Sequence, residues 1–191
     1  LGDQLADESR GFSFSAEGSL DLRFDPSRGE PAVRLVNRLS AERLADLIYM
    51  YGEERYSRRI ARAIAQRRRH EPIQTAADLA RLVRSVVPRS RTGHQIDPAT
   101  RTFQALRIAV NDELKWLEVA LRRTSHVLKT GGRMAVISFH SLEDRRVKEE
   151  FRNNSSYEPL TRRPIQATPE EIQRNTRSRS AKLRVAARTT K

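Results

Sequence analysis

The chain has 191 residues, 37% of them hydrophobic and 32% charged, which suits one domain, or a domain carrying a smaller one, and excludes global disorder. It contains no cysteine, so disulfides, zinc ribbons and thiol nucleophiles are excluded, and a reducing, cytoplasmic location is expected. No apolar run approaches the roughly 20 residues that a membrane-spanning helix needs.

The charge is strongly positive and predicts a polyanionic partner. Lys and Arg number 37 against 24 Asp and Glu, which gives a formal net charge of +13. Most of the basic residues are arginine, whose guanidinium binds phosphate bidentately and stacks on bases. The composition therefore favours nucleic acid over a membrane surface, since no basic amphipathic segment with large exposed apolar residues is evident. The alternative is a solvated surface that is charged for solubility.

Residues 1–28 predict a loop region, and residues 29–90 a small helical unit. Ser40 suits the N-cap of a first helix that Gly52 ends, a second helix covers about 53–69, and Thr75 caps a third. The second helix is rich in arginine outside its apolar face: Arg55, Arg58, Arg59, Arg62, Arg67, Arg68 and Arg69. A basic loop, 88–96, follows.

A long helix is predicted from Asp97, its N-cap, to about residue 128. Polar side chains crowd its first turns at Thr100, Arg101, Thr102 and Gln104. Because free N–H groups at a helix N-terminus bind anions, a nucleotide phosphate is one interpretation. An ordinary capped helix with solvated polar residues is the other.

The end of the chain predicts the last part of an open α/β sheet. The apolar run 134–139 indicates a parallel strand buried on both faces. Ser141 and Asp144 form a capping box for a helix that reaches about residue 153. Another short helix starts at Thr168, and residues 181–188 indicate a final strand near an edge.

His140 and Ser141 follow the strand 134–139, at the sheet edge where open α/β folds bind ligands. We favour a functional role for His140 over that of a surface residue, and Ser141 either acts in the site or only caps the helix. A Ser–His hydrolase is not expected, because no nucleophile elbow is present. No metal site is expected, because His140 and Asp144 have no third convergent ligand in the sequence.

The segment 174–191 holds seven basic residues and no acidic one. Phosphate contact is the functional interpretation of this tail, and an unengaged charged edge is the alternative.

Taken in chain order, seven segments resemble the MraW-type bacterial 16S ribosomal RNA cytosine-N4 methyltransferases. They are residues 10–14 (RGFSF), 20–25 (LDLRFD), 51–64 (YGEERYSRRIARAI), 98–108 (PATRTFQALRI), 131–133 (GGR), 137–145 (ISFHSLEDR) and 177–184 (RSRSAKLR). The run around His140 is long enough to be highly specific. Two positions depart from the family pattern: Leu1-Gly2 runs directly into Asp3-Gln4, and Asp97 replaces the usual His.

The resemblance implies an α/β fold, the C-terminal part of a Rossmann-like class I methyltransferase with an inserted all-helical domain. The implied organisation is 1–28, a loop of the methyltransferase domain after a missing N-terminal half; 29–96, a helical insertion for RNA recognition; and 97–191, the rest of the methyltransferase domain. The implied activity is S-adenosylmethionine-dependent N4-methylation of a cytidine in the 16S rRNA of the small subunit. The chain alone is expected to be inactive, and a homodimer is left open.

The implied site divides into three groups. Asp21, His140 and Ser141 are the candidate catalytic residues, Gln4 the candidate contact to S-adenosylmethionine, and Arg23, Arg101 and Thr102 the candidate RNA-binding residues. The competing hypothesis is a basic RNA-binding module that performs no chemistry.

Overall fold

A computed structural model of the protein describes residues 11–12, 18–88 and 97–190. Its helices are α1 (Ala32–Arg38), α2 (Ala41–Gly52), α3 (Ser57–Arg67), α4 (Ala76–Val86), α5 (Ala99–Asn111), α6 (Glu113–Val127), α7 (Ser141–Asn153) and α8 (Pro169–Arg174), with a 3-10 turn at Thr176–Ser180. The strands are β1 (Arg133–Ser138), β2 (Tyr157–Pro159), β3 (Ile165–Gln166) and β4 (Lys182–Arg188). None of these helices is both long and apolar enough to cross a membrane.

The chain divides into two compact units, Leu1–Asp112 and Glu113–Lys191, each of which has its own core. The first unit is helical, and α2 packs against both α3 and α5. Its fully buried side chains include Ile48 of α2, Ile60 of α3 and Leu79 of α4. Helix α5 therefore belongs with the helices that precede it, and the division at residues 96 and 97 stays a prediction.

The predicted starts of α2 and α4 are confirmed by their caps. The Ser40 hydroxyl accepts from the Arg43 N–H at 3.3 Å, and the Thr75 hydroxyl accepts from the Asp78 N–H at 3.1 Å. Each satisfies an N–H that the first helical turn leaves without an intrahelical partner. These are local signals, which is why the sequence was sufficient to place them.

The single long helix predicted from Asp97 to about 128 was wrong. Helix α5 ends at Asn111, Asp112 has a left-handed φ of 51°, and α6 begins at Glu113. The Asn111 side chain accepts from the Phe24 N–H at 2.7 Å and donates to the Leu22 carbonyl at 2.7 Å. Asn and Asp favour such conformations because their short side chains compete with helical hydrogen bonding.

The second unit is a mixed α/β structure with a small antiparallel sheet of order β1-β4-β2, in which β3 also pairs with β4. The prediction of a strand buried on both faces was wrong. Met134 and Val136 pack into the core beside Ala186, whereas Ile137 on the opposite face is 57% exposed. The final strand is also not near an edge, because β4 lies between β1 and β2.

Candidate functional site

His140 caps helix α7 at the end of β1. Its Nδ1 accepts from the Glu143 N–H at 3.3 Å, while Oε2 of Glu143 accepts from the Phe139 N–H at 2.8 Å and, at 3.4 Å, from the His140 N–H. This reciprocal arrangement is a capping box. The predicted box of Ser141 and Asp144 was wrong by one residue, because Ser141 is already the first helical residue and is exposed.

The second ring nitrogen of His140 is buried. The side chain is 10% exposed, and Nε2 has no hydrogen-bond partner among the described residues. It lies 3.3 Å from Oε1 of Glu143, at ion-pair distance but without the alignment of a hydrogen bond. Because Nδ1 accepts a backbone N–H, the neutral ring carries its proton on Nε2. His140 is therefore largely buried, and the alternative interpretation of it as a surface residue is wrong.

Glu143 is held in its anionic form. Burial by itself would raise the pKa of its carboxyl, but the His140 ring and the backbone N–H groups of Phe139 and His140 outweigh burial and place the pKa below its ordinary value. The end of β1 thus presents an imidazole and an ionised carboxylate side by side.

Glu113, the first residue of α6, joins this pair. Ligand atoms of Glu113, His140 and Glu143 all lie within 4.8 Å of one another. The sequence had indicated no third convergent group for His140. Glu113 is distant in the chain and belongs to no recognisable motif with His140. Only the packing of α6 against α7 brings it close.

Asp144, the residue that the sequence paired with His140 as a potential metal ligand, is bound elsewhere. Arg184 of β4 donates to it through Nε at 2.7 Å and Nη2 at 3.1 Å, and the Lys182 ammonium is 3.6 Å away. The Arg184 guanidinium, above all, lowers the pKa of the Asp144 carboxyl. This buried pair joins the first turn of α7 to β4.

In the first unit, Asp21 and Arg23 bind each other. The Arg23 Nε lies 2.7 Å from Oδ1 of Asp21, and its Nη2 lies 2.8 Å from Oδ2. Arg23 also donates to the Gly29 carbonyl at 3.3 Å. A base amine or a phosphate that used either residue would compete with this pair, and both roles stay predictions.

The N-terminus of α5 already has an anion, the carboxylate of Asp97. Its Oδ1 accepts from the Ala99 N–H at 2.8 Å, and it forms an ion pair with Arg84 at 2.6 Å. This favours the capped-helix interpretation over a phosphate site. Arg101 is exposed and donates to the Glu53 carbonyl at 3.3 Å, whereas Thr102 is fully buried. A substrate contact by Thr102 would require rearrangement, and both residues stay predictions.

The remaining predicted residues are Gln4, the basic loop and the basic tail, and the structure describes only some of them. Gln4 and residues 89–96 of the basic loop lie outside the described residues. In the basic tail, Arg184 is committed to Asp144, whereas three arginines are exposed. These are Arg174, Arg177 and Arg179.

Comparison with known proteins decides the family. The profile of the MraW methylase family matches residues 2–189, nearly the whole chain. The chain belongs to the MraW methylase family. The resemblance carried by the run 137–145 is thereby confirmed at the level of the family.

Curated relatives of this MraW-family chain include proteins named ribosomal RNA small subunit methyltransferase H. The protein from Rhodopirellula baltica is 55% identical over 188 residues, that from Sorangium cellulosum 56% over 185, and that from a Cyanothece species 57% over 185. Each alignment covers 97% of this chain but only 58%, 58% and 61% of the relative. The chain therefore spans about three fifths of the length of these relatives.

Proposed function

We propose that the protein is an S-adenosylmethionine-dependent methyltransferase that methylates N4 of a cytidine in the 16S rRNA of the small ribosomal subunit. The family match over residues 2–189 and relatives named as small-subunit rRNA methyltransferases support the reaction class and the substrate. The cytosine N4 target rests on the sequence resemblance. We place the candidate active site at the end of β1 because Nε2 of His140 is buried there beside the Glu143 carboxylate.

The topology of the second unit supports a Rossmann-like sheet. Strands β1 and β2 are both antiparallel to β4, so they run parallel to each other, and α7 connects them. Such a strand–helix–strand crossover is the unit of open α/β sheets, whose ligands bind beyond the carboxyl ends of the strands. His140 lies at that end of β1. We extend the proposal to the organisation 1–28, 29–96 and 97–191, with 29–96 as the RNA-recognising insertion.

The chemistry of the target explains the need for such a site. The exocyclic amine of cytosine is a poor nucleophile because its lone pair is delocalised into the ring. The enzyme has to hold that amine in line with the methyl group and to accept hydrogen bonds from it as it changes hybridisation. The target base also has to leave its stack. We assign base positioning to His140 and Ser141, with Glu143 as the residue that orients the imidazole, and we retain Asp21 as a candidate acceptor.

S-adenosylmethionine, when bound, supplies the electrophilic methyl group. Gln4 is the candidate contact that this chain offers to it. The other candidate site residues, all of which the structure describes, are proposed to contact the target base or the RNA backbone and not the cofactor.

Helix α3 is the candidate RNA-backbone surface. Arg58, Arg59 and Arg62 are exposed on it, opposite the buried Ile60 and Ile64. Two other arginines of the predicted series have structural partners: Arg68 donates to the Val36 and Leu39 carbonyls, each at 2.6 Å, and Arg67 pairs with Glu71. The proposal therefore depends on the three exposed arginines.

The alternative, an RNA-binding module without chemistry, shares this surface and is distinguished by cofactor binding. RNA binding by the chain should weaken steeply with salt, and a triple Arg→Gln variant at 58, 59 and 62 should reduce the slope of log K against log salt by about 0.7–0.9 for each phosphate that the variant no longer neutralises. The control is Arg28→Gln, since Arg28 is exposed but lies beside Asp25.

Titration calorimetry with S-adenosylmethionine on the protein from its complete reading frame distinguishes the methyltransferase from the RNA-binding module. Binding of the cofactor favours the enzyme, and absence of binding favours the module.

A further inference from the structure

Phe139 is an exposed aromatic residue at the carboxyl end of β1 and has no role in the proposed methyl transfer. It is 54% exposed, yet its N–H donates to Oε2 of Glu143 at 2.8 Å, so the capping box of α7 holds the backbone that carries the ring. An aromatic ring on a fixed backbone loses little conformational entropy when it stacks on a ligand. The ring is thus suited to bind a flat partner.

Two exposed arginines lie at the same edge of the sheet as Phe139. Ser138, the last residue of β1, lies opposite Lys182, the first residue of β4, in the antiparallel register. Residues that follow β1 and residues that precede β4 therefore leave the sheet at one edge. The 3-10 turn that precedes β4 exposes Arg177 and Arg179 there.

The backbone of this turn is anchored, and its surroundings are positive. The Asn175 side chain accepts from the Arg177 N–H at 3.2 Å, and the buried Ser178 hydroxyl donates to the Asn175 carbonyl at 2.7 Å. The segment 174–191 contains no acidic residue, and the Asp144 carboxylate that packs against it is already paired with Arg184. The turn therefore presents positive charge to an anionic partner.

We propose that Phe139, Arg177 and Arg179 form a subsite for the unpaired RNA nucleotide next to the methylated cytidine. The Phe139 ring stacks on the base of that nucleotide, and the two arginines bind its phosphates. The subsite lies entirely within the second unit, and it rests on the proposed RNA substrate.

An exposed aromatic ring near arginines suits unpaired RNA better than a duplex. Bases in a duplex are stacked on one another, whereas an unpaired base offers its π face to an aromatic side chain. The target cytidine has to leave its stack to be methylated, which uncovers a face of the neighbouring base. Every base has such a face, so the subsite should add affinity with little sequence preference.

Ile137 provides a matched control for the ring. It precedes Phe139 by two residues, so both side chains point to the same face of the strand, and it is 57% exposed. Ile137 is apolar but has no π system. Stacking on a base therefore distinguishes Phe139 from Ile137, whereas general burial of this face does not.

The experiment measures the Kd of the chain for a fluorescein-labelled single-stranded RNA of about 12 nucleotides by fluorescence anisotropy. Phe139→Leu should raise Kd by about 5- to 150-fold, the usual effect of losing one stacked base. Phe139→Tyr retains the ring and should bind as wild type does, and so should Ile137→Ala. An unchanged Kd for Phe139→Leu would assign the exposed ring to packing against polypeptide instead. An equal loss in Phe139→Leu and Ile137→Ala would also refute stacking.

The arginines are tested through the salt dependence of the same binding. The double variant Arg177→Gln/Arg179→Gln should lower the slope of log K against log salt by about 0.7 for each phosphate that is no longer neutralised. The control is Arg133→Gln, an exposed arginine at the opposite end of β1, about 20 Å from Phe139, which should leave the slope unchanged. An unchanged slope in the double variant would refute the phosphate contacts.

Photocrosslinking locates the contact without any variant. RNA with 5-iodouridine beside the cytidine should crosslink to Phe139, which mass spectrometry would find in the tryptic peptide 134–145. Crosslinks only outside this peptide would overturn the subsite. Formation of N4-methylcytidine together with normal binding by Phe139→Leu would refute the subsite alone, whereas failure of the wild-type chain to bind RNA would refute both the subsite and the RNA substrate.

Discussion

The buried ion pair of Asp144 and Arg184 should be the most sensitive polar contact of the second unit. Their side chains are 12% and 9% exposed, and the guanidinium donates twice to the carboxylate. Replacing Asp144 by Asn leaves the Arg184 charge buried without its counter-ion. Loss of one partner of a buried pair costs about 3–5 kcal/mol, so we expect Asp144→Asn to lower the free energy of unfolding by that amount.

The reverse substitution should cost less. In Arg184→Met, the Asp144 carboxylate keeps Lys182, whose ammonium lies 3.6 Å away and whose side chain is 36% exposed. The double variant Asp144→Leu/Arg184→Met removes both charges and should be close to wild type, since an apolar pair of similar volume often replaces a buried ion pair without loss. The order of stability should therefore be wild type and double variant first, then Arg184→Met, then Asp144→Asn.

Trp116, the only tryptophan of the chain, lies in α6 but is 60% exposed, so its fluorescence would change little on unfolding. Hydrogen exchange of the β4 backbone amides during urea unfolding makes the measurement specific to this unit. Glu118→Gln is the control, because its pair with Arg146 is more exposed, at 41% and 26%, and should contribute only about 0–1 kcal/mol. If Asp144→Asn costs no more than Glu118→Gln, the pair does not hold α7 to β4 as argued.

Three further predictions test the caps and the packing. His140→Ala should cost about 1 kcal/mol through loss of the α7 cap, and His140→Asn should restore that stability in urea unfolding but not restore methylation; recovery of both would make His140 purely structural. Burial acts to raise the pKa of Asp97, but Arg84 and the Ala99 N–H outweigh burial and lower this pKa. The stability that the ionised Asp97 contributes is therefore present above the unfolded pKa of about 3.9 and is lost as pH falls through the folded value. The difference in unfolding free energy between wild type and Asp97→Asn should vanish in acid, and a pH-independent difference would contradict the ion pair. Gly52→Ala should destabilise the first unit by about 1–3 kcal/mol, because the added Cβ would lie 2.5 Å from a backbone carbonyl of α5; thermal unfolding checks this, and an unchanged melting temperature would show that the contact relaxes freely.

Local signals explain what the sequence predicted well. Ser40 and Thr75 cap their helices through residues three positions away, so a short stretch of chain contains the whole interaction. The run around His140 was sufficient to place the chain in its family. The identity of the α7 cap was missed by one residue because Ser is a commoner N-cap than His.

Long-range packing explains what the sequence could not predict. The break at Asp112 depends on Asn111 reaching the backbone of residues 22 and 24. The convergence of Glu113 on His140 depends in turn on that break and on the contact between α6 and α7. The alternation of exposed and buried residues along β1 is fixed by its pairing with β4, which lies far along the chain from it. Periodicity within a short apolar run contains none of this information.

The most direct test of the account is the chemical identity of the methylated nucleoside. The protein expressed from its complete reading frame would be incubated with S-adenosylmethionine and small ribosomal subunits that lack this modification, and the 16S rRNA digested and analysed by mass spectrometry. We expect N4-methylcytidine in the wild-type reaction and a rate reduced on the order of 100-fold for His140→Asn, the cost typical of losing one transition-state hydrogen bond. Methyl transfer to another atom, or an undiminished rate in His140→Asn, would contradict the assignment of the site at the end of β1.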